Sequence, residues 1–100
     1  MRVISREALR HFWESASGRT DARRALEAWY REARRATWTS PQDIKRMYAS
    51  ASVLQGGRVV FNICGNRYRL VVHIDYRHRT VFVRFVGTHG DYDSIDAEVV

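Results

Sequence analysis

The clearest periodic signal runs from Arg58 to Asp93, RVVFNICGNRYRLVVHIDYRHRTVFVRFVGTHGDYD. Side chains of a strand alternate between two faces, and that alternation predicts three successive strands. In the first, Val59, Phe61 and Ile63 oppose Arg58, Val60 and Asn62. In the second, Tyr68, Leu70, Val72 and Ile74 oppose Arg67, Arg69, Val71 and His73. The third sets Val81, Val83 and Phe85 against Thr80, Phe82, Arg84 and Val86. Each strand thus has one apolar face, suited to a core, and one mixed face carrying Arg, Asn or His. The mixed faces together predict an open, cationic sheet surface.

Upstream the period changes to that of helices. Met1 to Ile4 reads as a short strand, and Ser5 as the N-cap of a helix from Arg6 to Ser15 with Leu9, Phe12, Trp13 and Ala16 on one side. Ser17-Gly18 ends it. Thr20 or Asp21 caps a longer helix, Ala22 to Ala36, in which Ala22, Ala25, Leu26, Trp29 and Ala33 recur at i, i+3, i+4 and i+7. Its other side carries Arg23, Arg24, Glu27, Arg31, Glu32, Arg34 and Arg35. That side serves as a solvated face with pairs such as Glu27 and Arg31, a nucleic-acid stripe, or a contact for an acidic partner. Ser40-Pro41-Gln42-Asp43 places Ser at an N-cap, Pro at N1 and an acid at N3. The short helix it opens, through Met47, turns Ile44, Met47 and Tyr48 inward and Lys45 and Arg46 outward. Ala49 to Gly57, ASASVLQGG, is a flexible loop, and Asp91 to Ala97 a small turn or helix. The order predicts an α+β fold, with N-terminal helices packed on one face of a small, mainly antiparallel sheet.

The 100 residues suit one domain. No run of about 18 apolar residues predicts a membrane span. Charges at Arg6, Glu7 and Arg10 interrupt the apolar core a signal peptide needs, so the expected location is cytoplasmic. One cysteine, Cys64, excludes an internal disulfide. A net charge of +6 and a pI near 10.2 point to an anionic partner.

Phosphate-loop, dinucleotide and metalloprotease motifs are absent, and His11, His73, His78 and His89 lack metal-ligand spacing. The expectation is no metal and no cofactor. What remains is Arg67, Arg69 and Arg84 on one sheet face, His73 nearby, and Thr88-His89-Gly90-Asp91-Tyr92-Asp93 after the last strand. Arginine holds phosphate oxygens two at a time, and His and Tyr move protons near neutral pH. Such residues suit a metal-independent ribonuclease that borrows the RNA's own 2′-hydroxyl as nucleophile. They equally suit a noncatalytic RNA-binding sheet.

At these residues FNICGNRYRLVVHIDY and VFVRFVGTHGDYDSIDA resemble the HigB family of type II toxins, mRNA interferases related to the RelE and ParE toxins. The likeness extends upstream through Trp29-Tyr30, Trp38, Ser40-Pro41 and Asp43-Ile44-Lys45. It implies a RelE-like fold and ribosome-dependent mRNA cleavage in the A site. It further implies a HigA-type helix-turn-helix antitoxin, whose complex with the toxin binds operator DNA. Arg69 matches the strand arginine that contacts the scissile phosphate, and His89 and Tyr92 the positions that move protons or orient the nucleotide. Arg84 is expected to assist Arg69, while Asn62, Asn66, Arg67, His73 and Lys45 are expected RNA contacts. Asp91 stands where relatives often have Glu. Some members of the wider family poison gyrase instead, which leaves a noncatalytic toxin as the alternative.

Overall fold

In the computed structural model, which describes residues 1–15 and 19–100, the expected strand-helix order is present with two additions. The elements are β1 (Arg2–Ile4), α1 (Arg6–Glu14), α2 (Thr20–Arg35), α3 (Pro41–Met47), β2 (Ser52–Val53), β3 (Arg58–Ile63), β4 (Tyr68–Asp75), β5 (Thr80–Thr88) and α4 (His89–Asp93). The expected inward Ala16 and the Ser17-Gly18 break lie outside the described residues.

Local chemistry accounts for most helix boundaries. The Ser5 hydroxyl accepts from the Glu7 amide at 3.1 Å, closing the start of α1. α2 begins two residues earlier than expected, so neither Thr20 nor Asp21 is its N-cap; Asp21 instead accepts from the Ala22 amide from within the first turn. Pro41 opens α3 as predicted, but Asp43 reaches back to the amide and hydroxyl of Thr39 rather than to Ser40. Met47, expected inward, is 51% exposed. Its sulfur lies 3.2 Å from the Trp38 indole nitrogen, so it caps the rim of the core rather than filling it. The segment after α3, read as a flexible loop, contributes β2 and a 3₁₀ turn at Gln55–Gly57.

The sheet has the order β1-β5-β4-β3-β2, with β1 parallel to β5 and every other pair antiparallel. The core lies between α1, α2, α3 and one sheet face. Leu9, Leu26, Trp29 and Ile44 meet Val59, Phe61, Leu70 and Val72 there, all sealed from solvent. Each fully buried Leu, Ile or Phe side chain contributes about 1.5–3 kcal/mol. Trp29 and Phe61 add an edge-to-face contact at 5.4 Å, the geometry aromatic quadrupoles favour.

One expected alternation fails. Val71 pairs with Phe85 but Val72 pairs with Val83, so Arg84 is an extra residue in β5, a β-bulge. The bulge reverses the phase of everything after it. Phe85, expected in the core, packs on the other face with Val60 and Val71, and Val86, expected outward, joins the core side.

The second face is not open either. Residues after α4 fold back across it, where Ile95, Ala97 and Val100 cover Val60, Val71 and Phe85. An Arg58 guanidinium nitrogen donates to the Val100 carbonyl oxygen at 2.9 Å and pins the far end.

Candidate functional site

β4 begins immediately after a tight turn, in which Cys64 and Gly65 take positive φ values of 53° and 63°. This turn lifts Asn66 beside the second face, where Arg69 emerges. The Arg69 side chain is 9% exposed. Its guanidinium donates to the Asn66 carbonyl at 3.0 Å, the Tyr68 carbonyl at 3.3 Å and the Asn66 side-chain oxygen at 3.2 Å. All of these acceptors are neutral, and Arg69 forms no ion pair among the described residues. A permanently ionised group held mostly out of water, with no counter-charge, attracts an anion strongly.

The neighbouring strands complete the surroundings. Asn62 of β3 lies directly across from Arg69 on one side and Gly87 of β5 on the other. A Cβ on Gly87 would stand 2.6 Å from the Phe85 ring and 3.0 Å from the Asp91 Cβ. Any larger residue there would force the Phe85 ring or the start of α4 to move. The absent side chain lets the chain leave β5 and bring α4 close over Arg69.

α4 is anchored by a reciprocal capping box: the Thr88 hydroxyl accepts from the Asp91 amide, and the Asp91 carboxylate accepts from the Thr88 amide, both at 3.1 Å. The His89 amide donates to the Arg67 carbonyl at 3.0 Å, which fixes the histidine's backbone beside the β3–β4 turn. Its ring is exposed, with Nε2 3.8 Å from an Asp93 oxygen. Tyr92 follows one turn later and packs with Val60 and Val71, and its ring centre lies 5.9 Å from the Arg69 guanidinium carbon. Arg69, Tyr92 and His89 thus frame one end of the second face, with Asn62 and Asn66 on its border.

The other expected residues lie elsewhere. Arg84, at the bulge, sits three positions along β5 from Gly87, on the order of 10 Å at strand rise, and its guanidinium lies over Phe82. Phe82 stacks on His73 across the strand pair, 6.0 Å between ring centres. Arg84 and His73 therefore share the opposite end of the face, with Phe85, Val71 and the covering residues between them and Arg69. Arg67, read as a β4 residue alongside Arg69, precedes the strand and turns to the helix layer. There it pairs with Asp21 at 2.5 Å, and this hydrogen-bonded pairing raises the guanidinium above its usual range. The Lys45 ammonium donates to the Ala49 and Ala51 carbonyls at 2.8 and 2.7 Å, tying down the segment that follows α3. Asn62 donates similarly to the Ser50 carbonyl.

Asp21 is the residue whose importance the sequence concealed. Besides Arg67 it takes the Tyr68 hydroxyl at 3.0 Å, while its backbone carbonyl accepts the Cys64 thiol. It links the start of α2 to the turn that presents Asn66. The Arg67 hydrogen bond holds its carboxyl below the usual range, and burial pushes the Cys64 thiol up.

A family model described as the RelE-like toxic component of a toxin–antitoxin system, HigB toxin, matches residues 22–95. The chain belongs to the HigB toxin family. It is the toxin of a toxin–antitoxin system, with an antitoxin as its partner, and its α+β architecture is consistent with the RelE-like fold. The match spans α2 to α4 and so contains Arg69, His89 and Tyr92; β1 and α1 precede it. No curated protein matches the chain. Among the described residues, no helix of this HigB-family toxin is long and apolar enough to cross a membrane.

Proposed function

We propose that this HigB-family toxin is a metal-independent endoribonuclease that cuts mRNA on the ribosome and so arrests translation. The observation that carries the reading is Arg69: a mostly buried cation with neutral acceptors only, flanked by a tyrosine and an exposed histidine.

In this reading the scissile phosphate docks against Arg69, whose free N–H groups take its non-bridging oxygens. The RNA 2′-oxygen attacks phosphorus as its proton leaves, and the bond to the 5′-oxygen breaks as that oxygen is protonated. The products are a 2′,3′-cyclic phosphate and a 5′-hydroxyl. Charge accumulates on the phosphoryl oxygens in the transition state, where a guanidinium fixed in advance stabilises it most. His89 exchanges protons with bulk water and serves one of the two transfers. Tyr92 orients the nucleotide and offers its hydroxyl for the other. Asn62 and Asn66 contact the RNA alongside, while Arg84 and His73, at the far end of the face, hold flanking nucleotides. Arg67 and Lys45 serve mainly to fix the loops around the site. The neutralising partner is a HigA-type helix-turn-helix antitoxin, and operator DNA is reached through the complex.

Induction in a susceptible bacterium, followed by primer extension on cellular mRNA, tests the reading. New 5′ ends inside translated regions are expected, lost with Arg69→Ala or His89→Ala. Full toxicity of both variants would overturn the site. DNA damage without new RNA ends would replace cleavage by gyrase poisoning.

A further inference from the structure

The helix layer, on the side of the sheet away from Arg69, carries a cationic groove. Its largest depression, of about 650 Å³, is lined by Met1, by Arg2 and Val3 of β1, by Tyr30 and Arg34 of α2, and by His78 and Arg79 of the β4–β5 turn. Two adjoining depressions continue it. One of about 410 Å³ lies among Arg31, Arg34 and Arg35, and one of about 300 Å³ among Arg6, Glu27, Tyr30 and Arg31. Shared lining residues make the three a single track. Tyr30 is shared by the largest and the smallest of them, with the guanidinium carbons of Arg6 and Arg34 each 5.6 Å from the ring centre.

Charge balance along the track is one-sided. Arg2, Arg6, Arg31, Arg34, Arg35 and Arg79 are all exposed, and none forms an ion pair among the described residues. Its one acid, Glu27, is engaged by Arg23 at 3.2 Å. Nearby, Glu32 accepts from the Tyr48 hydroxyl. Six like charges repel one another, so the surface gains most when a polyanion covers it.

We propose that this track binds the phosphate backbone of RNA, at linkages other than the one cut beside Arg69. The proposal rests on the RNA reading above but uses a different surface. Planar guanidinium forks suit phosphate oxygens. A protein interface, in contrast, needs an apolar centre. Of the large apolar side chains that are exposed, Met47, Val53 and Val99 line none of the three depressions, and Ile4 lies beyond Val3. RNA phosphates are favoured over an acidic polypeptide on that ground.

The test is fluorescence anisotropy with a 2′-O-methyl RNA oligonucleotide, titrated at several salt concentrations. Such RNA has no 2′-hydroxyl to attack, so binding is read whether or not the protein cleaves. Two paired variants, Arg34→Gln with Arg79→Gln, and Arg31→Gln with Arg35→Gln, each remove two contacts. Each pair should make the slope of log K against log salt shallower by about 1.5. Arg46→Gln, outside the track, should leave it unchanged. Unaltered slopes in whichever pairs retain the wild-type melting temperature would overturn the proposal, as would displacement of the RNA by polyglutamate at equal charge. Altered slopes together with intact cellular mRNA would instead sink the nuclease reading and leave the track standing.

Discussion

The Arg69 guanidinium faces the Tyr92 ring at 5.9 Å while its nearest hydrogen-bond acceptors are the oxygens of Asn66 and Tyr68. The tyrosine thereby screens the cation from water on one side without neutralising it. Arg69→Ala should lower cleavage in a translating extract by roughly 10²- to 10³-fold, the usual cost of removing one donor to a developing oxyanion. Tyr92→Phe keeps the ring contact and removes only the hydroxyl. It should melt like the parent, so that any lost rate reports on the oxygen.

Gly87 carries no chemistry, yet Gly87→Ala should impair toxicity. The added Cβ meets the Phe85 ring at 2.6 Å and Asp91 at 3.0 Å, so either the ring or α4 must move. Overpacking of this kind costs about 1–3 kcal/mol, measurable by urea denaturation. Gly90→Ala is the contrasting case. Its Cβ finds only the Thr88 hydroxyl, at 3.9 Å, and should be neutral or slightly stabilising.

Asp21 sets an acid limit on stability. Its folded carboxyl titrates below the ordinary value because of the hydrogen bond from Arg67, with the Ala22 amide and Tyr68 hydroxyl adding to it. The contribution is therefore complete above the unfolded value, about 4, and is lost as pH falls through the lower folded value. Melting temperatures of the parent and Asp21→Asn should differ by a constant amount above about pH 5 and converge below about pH 4. High salt should shrink the gap, since Arg67 is exposed.

Ala97 tests whether the residues after α4 hold the second face shut. It is 8% exposed against Val60 and Val71. Ala97→Asp buries an unpaired carboxylate there, and the segment should peel away rather than accept it. Dye binding to newly exposed apolar surface, with the helix-side core still cooperative in melting, is the expected signature.

Much of this architecture was legible because β3 and β4 keep strict alternation and because Leu26, Trp29 and Ala33 keep helical spacing. Of the candidate site, the YRL and GTH patterns single out Arg69, His89 and Tyr92, and the fold brings these three to one end of the second face. Thr88-x-x-Asp91 also matched a capping box and could have located the start of α4. Arg84 left no comparable trace. A bulge depends on how two strands register, a nonlocal property, so Phe85 and Val86 were each assigned to the wrong face. The partnership of Arg67 with Asp21 spans 46 residues and was invisible for the same reason. The cover over Val60 and Val71 was missed because Ile95, Ala97 and Val100 are too few to show a period.

The doubled position at Arg84 gives β5 a residue to spare. Deleting this exposed arginine would let Val83 and Phe85 take adjacent rungs opposite Val72 and Val71, so Phe85, Gly87 and Thr88 would keep the faces they have now. Deleting Val86 instead would turn Gly87 and Thr88 over, and Thr88 would release α4 from the wrong side of the sheet. Arg69, His89 and Tyr92 would all still be present, carried on a scaffold that can no longer introduce them to one another.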